Sequence, residues 1–446
     1  MSNSVTTQSS PPQPKASRKQ LFRAILSGWA GTSLEYFDFQ LYGLAAALVF
    51  PRLFFPELDP AMGLLTSFAT YAVGFLARPL GAIFFGRLGD KNGRKFVLVI
   101  TIAIMGVSTV GIGLLPTYQQ VGILAPILLI ALRLVQGFGA GAELAGASVL
   151  LAEYAPPERR GLVASFVAVG TNTGTLLASG IWLILAAQPE EWLLEVGWRI
   201  PFIASIAVAL FALVIRRYLN ETPVFEVAVS GAPAEERTPL RDAWTYGKKS
   251  FLASMCLRIA ENGPSSIFQS FLLGYIATVL MMDRSIGTEA VFFASLIGFV
   301  TVPFFGWLSD KVGRRLVYRY LALFQFCWAI PTMLMLQTGN PGLMKLALIV
   351  GISVGVLGLY SLQGSFMPEL FGSRYRYTGL AVSKEIGSII SGGTAPMVAS
   401  ALLAAFSNSW VPIAIYLMVT TGIGVITTFF TPEVRGRDLT DPQDAM

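Results

Sequence analysis

The 446-residue chain contains no histidine. That removes the commonest metal ligand and the one side chain that ordinarily titrates near neutral pH, so any proton chemistry falls to carboxylates. Cysteine is almost as scarce. Cys256 and Cys327 both lie inside apolar runs, a pattern that suggests neither a disulfide framework nor a metal site. Charged residues make up 13% of the chain, where soluble domains carry about 25%, while hydrophobic residues reach 54%. Those proportions describe an integral membrane protein. Phosphate loops, nucleophile–base pairs and metal clusters are missing, so an enzyme is not expected. The GxGxG of Gly137 to Gly141 lies inside an apolar run with no strand before it, and is not a nucleotide loop. The net charge of +6 comes from basic residues in short loops beside apolar runs, which argues against nucleic acid as a partner. Residues 1–20 lack the apolar core of a signal peptide and read as a flexible polar tail.

What the chain does have is twelve apolar segments, each near or above the roughly 20 residues that span a bilayer. They run over 21–49, 61–85, 96–116, 123–151, 162–187 and 199–219, then 250–281, 289–309, 316–338, 343–367, 378–405 and 409–430. The expected fold is an all-α membrane protein, twelve transmembrane helices in two six-helix bundles, 21–219 and 250–430. The charged, proline-bearing stretch 220–249 reads as the linker, and 431–446 as a C-terminal tail. With both ends placed inside, 24 of the 32 Lys and Arg fall on inner loops and tails, four on outer positions and four within spans. That asymmetry predicts cytoplasmic termini in a multi-pass protein of the cell (inner) membrane.

The chain also repeats itself. Residues 86–95 read GRLGDKNGRK and residues 306–315 read GWLSDKVGRR, both G-x-x-x-D-K-x-G-R-[RK], 220 positions apart. Each is a short charged connection between apolar segments, so the protein is two related halves in tandem. A second echo agrees: AEYAPPERRG at 152–161 and PELFGSRYRYTG at 368–379 each set a carboxylate, two arginines and a glycine between segments.

The paired decapeptide resembles the signature loop of the major facilitator superfamily of secondary transporters. Further stretches resemble its metabolite:proton symporter family: GTSLEYFDFQLYG (31–43), ARPLGAIFFGRLGD (77–90), RLVQGFGAGAELAGA (133–147), ETPVFE (221–226) and RYTG (376–379). The resemblance covers nearly the whole chain. It implies two pseudo-symmetric bundles that alternate between inward and outward access, with the first, fourth, seventh and tenth segments lining a central cavity. It also implies that the echo loops, through Gly86, Asp90, Arg94, Gly306, Asp310 and Arg314, form a cytoplasmic gate stabilising the outward-facing state. Where the family often follows RYTG with uncharged residues, this chain runs LAVSKEIGSIISGG.

A charge at the bilayer centre costs about 2.5–3.5 kcal/mol on insertion scales, so each one needs a partner, a wet cavity or a helix end. Glu35 and Asp38 are three apart and share a helix face, and Arg133 lies ten residues into its span. Asp38 or Glu35 is therefore expected to face Arg133, with Asp38 the first candidate for the coupling proton and Glu35 the second. A fixed ion pair between the helices is the alternative. Gln136 and Tyr42 are candidate substrate contacts nearby; Tyr36, Phe37, Phe39 and Tyr42 could stack a ring or cage an amine, or simply pack. On the seventh segment Arg258 and Glu261 can pair with each other. Gly263-Pro264 is expected to kink the helix and free carbonyls, with Asn262, Gln269 and Tyr275 as further polar candidates. Lys384 and Glu385 point roughly 100° apart; Lys384 could bind a substrate carboxylate and Glu385 could be a second protonation site, or one faces an aqueous vestibule. Arg78 reads as structural, paired with Glu153 or Glu143, and the glycines of the fourth and fifth segments as close-packing positions.

The expected function is proton-coupled uptake of a small organic acid, such as a di- or tricarboxylate, shikimate or an aromatic acid. The proton gradient drives it, with no cofactor. The expected partners are an organic anion or zwitterion, protons and the lipid bilayer, and a single chain holds a whole carrier. The alternatives are uptake of a zwitterionic osmolyte and, in another class, a solute sensor derived from a transporter.

Overall fold

The computed structural model describes residues 18–92, 94–141, 144–217, 244–245, 247–373, 375–439, 441 and 443–446. Most of the expected linker, 220–249, lies outside them. Among the described residues every regular element is helical, as a bilayer demands when no water is present to satisfy backbone N–H and C=O groups.

Twelve long helices match the twelve apolar segments. The first six are α1 (Arg18–Leu48), α2 (Pro60–Asn92), α3 (Arg94–Gly113), α4 (Leu124–Ala140, resuming as Leu144–Tyr154), α5 (Arg160–Ala186) and α6 (Arg199–Arg217). The second six are α7 (248–278), α8 (Ser285–Val312), α9 (Arg314–Gln337), α10 (Pro341–Leu370), α11 (Arg376–Ala405) and α12 (Val411–Phe430). Seven are long and apolar enough to cross a membrane by length and composition alone, and α6 joins them with its bent lead-in, 190–197. Two of the others, α1 and α7, are the most polar of the set because each carries buried charges, Glu35 and Asp38 in one, Arg258 and Glu261 in the other.

Local chemistry sets the helix ends. Asn340 opens α10: its side chain accepts from Gly342 N at 2.9 Å while Pro341 takes the first helical position, where its missing N–H is harmless. Between α8 and α9 the chain turns at Gly313 with φ at 121°, a conformation L-residues rarely adopt, which accounts for the glycine inside the second echo loop. The Gly263-Pro264 step does not break α7. The helix runs through Pro264 and then widens into a π turn over Ile267–Phe271. Similar π turns interrupt α10 at Gly351–Val356 and α11 at Ser388–Gly393, and such widenings free backbone groups from the regular ladder.

The two sets of six meet along α5 against α8, α2 against α11, and α1 against α7. The chain packs across both faces. On one face the start of α1 packs beside the end of α4 and the start of α5, and the described residues after 431 fold back, Ala445 N donating to Leu370 O at 3.0 Å. This is the terminal face. On the opposite face Arg284, at the start of α8, donates to Ala186 O and Gln188 O at the end of α5. Within the first set, α2 and α4 cross so closely at Gly137 that a Cβ there would overlap the Gly74 carbonyl.

Gly137→Ala is therefore expected to force α2 and α4 apart at a cost of about 1–3 kcal/mol, lowering the melting temperature in detergent. Gly422→Ala on α12, where the nearest atom would sit at 3.5 Å, is expected to leave it unchanged. Equal melting of the two variants would contradict the packing role.

Candidate functional site

Between the two sets lies a closed cavity of about 30 Å³, lined from α1 by Tyr36 and Phe39, from α2 by Phe75 and Arg78, and from α7 by Arg258 and Gln269 among others. It has room for about two waters. A metabolite enters only if the halves part. Among the described residues, two guanidiniums, Arg78 and Arg258, face this space and no carboxylate does.

Among the described residues, eight charged side chains are buried around the cavity: Glu35, Asp38, Glu261 and Glu385 against Arg78, Arg133, Arg258 and Lys384. These are four of each sign, but the pairing is uneven. Arg78 takes two acids at once. Its Nε and Nη2 donate to the two oxygens of Glu385 on α11 at 2.7 and 3.0 Å, and Nη2 also donates to Glu35 on α1 at 2.8 Å. Arg258 donates to Glu261 at 2.7 Å one turn along α7, to Gln363 of α10 at 3.2 Å and to Ser388 of α11 at 2.9 Å. Arg133 donates to Gln136 at 2.5 Å and to Tyr71 O at 3.3 Å. Lys384 makes no ion pair among the described residues although it is only 4% exposed.

Aromatic faces cover the guanidiniums. Arg133 lies 4.0 Å from the Tyr42 ring centroid and 5.3 Å from that of Phe39, and Arg78 lies 4.9 Å from the same Phe39. The aromatic run on α1 thus serves cations of the protein itself, with one ring between two arginines.

The structure places several sequence-predicted residues elsewhere than expected. Neither Glu35 nor Asp38 pairs with Arg133, which is held by Gln136 on its own helix and by the Tyr42 ring. Asp38 instead accepts from Thr109 of α3 at 3.0 Å, and Gln136 Nε2 donates to the same hydroxyl at 2.7 Å. A relay of two uncharged groups therefore separates acid from arginine. Glu35, one turn away, meets Arg78. Arg78 is consequently no local brace to Glu153, which pairs with Arg376 at 3.2 Å near the terminal face, while Glu143 lies outside the described residues. Tyr42 and Tyr275 do not line the cavity; their hydroxyls bond Thr70 at 2.7 Å and Gln337 at 2.8 Å. Gln269 and Asn262 do line it. The π turn of α7 presents Gln269 O to Gln40 Nε2 of α1 at 3.0 Å, a bond between the halves made by a carbonyl. Sequence reasoning passed over Thr109, Gln363 and Gln40, whose only signal is an uncharged polar group within an apolar span.

At the terminal face the second echo loop reaches the other half. Asp310 accepts from Gly161 N and Leu162 N, both at 2.8 Å, and so caps the start of α5. Arg314 donates to Asp310 at 2.7 Å and to Glu369 at 3.1 Å, and Glu369 also takes Arg160 of α5 at 2.8 Å. Gly306 lies against Gly161, where a Cβ would sit 2.8 Å from the carbonyl oxygen. The side chains of Gly86, Asp90 and Arg94 in the first loop lie outside the described residues.

Comparison with known proteins follows the same lines. The family model described as Major Facilitator Superfamily matches residues 28–396. The Escherichia coli (strain K12) protein YdfJ is 45% identical over 92% of this chain and 96% of its own. The shikimate transporter of the same strain is 36% identical over 95% of this chain and 98% of its own, and its proline/betaine transporter 35% over 94% and 85%. Among solved structures, the proton:xylose symporter XylE superposes with a TM-score of 0.74 over 94% of this chain and 98% of that one, at 16% identity.

Glu369 neutralises two buried arginines from different halves, so Glu369→Gln should cost about 3–5 kcal/mol of closure at the terminal face. A cysteine placed at Ser165, which packs against Gly306, is expected to react faster with a maleimide in that background. An unchanged labelling rate would remove Glu369 from the closure.

Proposed function

The chain belongs to the major facilitator superfamily, and on that premise we propose that it is a proton-coupled symporter that takes up a small organic acid by alternating access. The observation that carries this reading is the lining of the central cavity, two arginines with no carboxylate, beside four buried acids. The guanidiniums favour an anionic solute. The acids are the proton carriers open to a chain without histidine. Shikimate, proline and betaine, named for the relatives, each carry a carboxylate, whereas the xylose of the structural neighbour does not. The equal number of acids and bases buried around the cavity, among the described residues, supports a second reading, uptake of a zwitterion of the betaine or proline kind.

Residues 21–219 and 250–430 act in this scheme as two rocking bodies joined by 220–249. The proton gradient supplies the energy without a cofactor, and a single chain carries the whole path. The Lys and Arg asymmetry puts both termini and the terminal face in the cytoplasm of a cell whose inner membrane holds the protein. The Asp310–Gly161 and Glu369 contacts then form the inner gate, and the Arg284 contacts the outer one. Asp38 carries the coupling proton, with the Thr109–Gln136 relay reporting its charge to Arg133. Substrate contacts are expected from Arg258, Glu261, Gln269 and Lys384.

The test is the pH outside proteoliposomes as di- and tricarboxylates, shikimate, benzoates, betaine and a hexose are added in turn. Alkalinisation with one acid establishes symport and its substrate class. Binding without flux for every solute would instead favour the sensor. Asp38→Asn is expected to lose uphill accumulation while keeping counterflow exchange; normal accumulation by that variant would remove Asp38 as the proton site.

A further inference from the structure

Arg78 is held by two acids that differ in one respect. Glu35 comes from α1 in the same half, so it travels with the guanidinium. Glu385 comes from α11 in the other half, and α2 and α11 form one of the seams along which the halves meet. When that seam opens around residue 78, Glu35 stays and Glu385 must leave.

Glu385 also holds the guanidinium in a distinctive way. Its two oxygens take Nε and Nη2 together, at 2.7 and 3.0 Å, the side-on fork in which an arginine grips any carboxylate. Arg78 also lines the cavity, so a solute that enters this space comes within reach of the guanidinium. A buried guanidinium that loses this partner requires another of the same shape.

We propose that Glu385 is an internal stand-in for the substrate: a monoanionic carboxylate solute takes its place on Arg78, and Glu385, displaced, takes a second proton, linked to binding and distinct from the coupling proton that Asp38 carries. This rests on the reading of the chain as a proton symporter and assigns the site of exchange within it. The charge count supports the exchange. Among the described residues around the cavity, the eight charged groups sum to zero when all are ionised; one added carboxylate makes that sum negative by one, and one proton on Glu385 restores it. The proton arrives from the aqueous phase that delivers the solute and leaves to the phase that receives it, after which Glu385 re-forms the pair and the empty carrier closes. Glu35 acts as a positioning residue that keeps the fork aimed while its other partner changes.

Among the described residues, the charged and titratable groups around Glu385 are Arg78 of α2, with Glu35 and Tyr36 of α1 behind it, Arg258 and Glu261 of α7, and Lys384 beside it. Nearer the terminal face lie Arg376 of α11 itself, Glu153 of α4 and Glu369 of α10. Glu261 and Glu369 are already committed to Arg258 and to Arg160 and Arg314. Among the acids on Arg78, Glu385 is the one whose bond crosses between the halves.

The experiment is binding rather than flux: thermal stabilisation of the detergent-purified protein by shikimate, benzoate, proline and glycine betaine, each beside its methyl ester, from pH 5.5 to 8.5. A monoanionic acid is expected to stabilise the wild type and its ester is not, with affinity rising about tenfold per unit fall in pH where one proton is linked to one ligand. In Glu385→Gln the competitor is gone. That variant should bind the same acid at least about tenfold tighter at pH 7.5, with a flat pH profile, a gain that misfolding cannot produce. Arg78→Lys, which keeps the charge but not the fork, should bind at least about tenfold more weakly. Asp38→Asn should keep the pH dependence of binding.

The proposal is overturned if Glu385→Gln retains wild-type affinity and pH profile, if Arg78→Lys binds as the wild type does, if esters bind as well as acids, or if no monoanionic acid of the panel binds. Stabilisation by the zwitterions alone also overturns it, since a zwitterion adds no net charge to be balanced. Failure of the symport reading looks different: binding behaves as expected, yet acid entry into wild-type proteoliposomes moves no proton.

Discussion

Eight ionisable side chains at the centre of a membrane protein must neutralise one another, because lipid will not. The most consequential of the resulting contacts is the guanidinium of Arg78, which takes Glu35 from its own half and Glu385 from the other. That single group makes electrostatic neutrality and closure of the two halves the same condition. Parting the halves at α2 and α11 exposes an unpaired charge, and supplying a replacement charge permits the parting. Arg258 differs: its acid, Glu261, sits on the same helix, and uncharged groups, Gln363 and the Tyr360 ring of α10 and Ser388 of α11, tie it to its neighbours.

The terminal face adds a helix end to its side-chain pairs. Asp310 seats its carboxylate on the first N–H groups of α5, and Glu369 accepts from Arg160 and Arg314 at once. The repeated acid of the echo decapeptide thus has a physical task in its second copy, capping a helix of the opposite half. The repeated glycine has another, since Gly313 turns the chain at a φ of 121°. The last residues of the chain add to this seam: Glu433 accepts from Arg314 N at 2.9 Å, and Arg437 donates to Glu369 O at 2.8 Å. The opposite face is held more lightly, by carbonyls of α5 on Arg284. Fully desolvated charge on one face and partly exposed contacts on the other make the terminal seam the more expensive one to open.

Much of this was legible beforehand. Helix number and position follow from the length of each apolar run, because a bilayer admits only segments that satisfy their own backbone. The internal repeat gives two halves. The spacing of Arg258 and Glu261 places both on one helix face, and they pair as the i, i+3 spacing allows. Burial of Asp38, Arg133, Lys384 and Glu385 could also be read, since each is a charge inside an apolar run.

What the sequence by itself determined is an inventory: which charges lie inside the apolar runs, and on which helices. Which acid meets which base was decided only by tertiary structure. Glu35 and Asp38 stand one turn apart, yet one reaches α2 while the other reaches α3, because the helices around α1 present Arg78 at one level and Thr109 at the next. Arg78 seemed a local brace because its partner lies 307 positions away. Thr109, Gln40 and Gln363 were silent because an uncharged polar group gives no signal in an apolar run until a partner from another helix meets it. Covalent neighbours set periodicity and charge; the partners of a buried charge are set by helices that cross, and that crossing is a property of the assembled bundle.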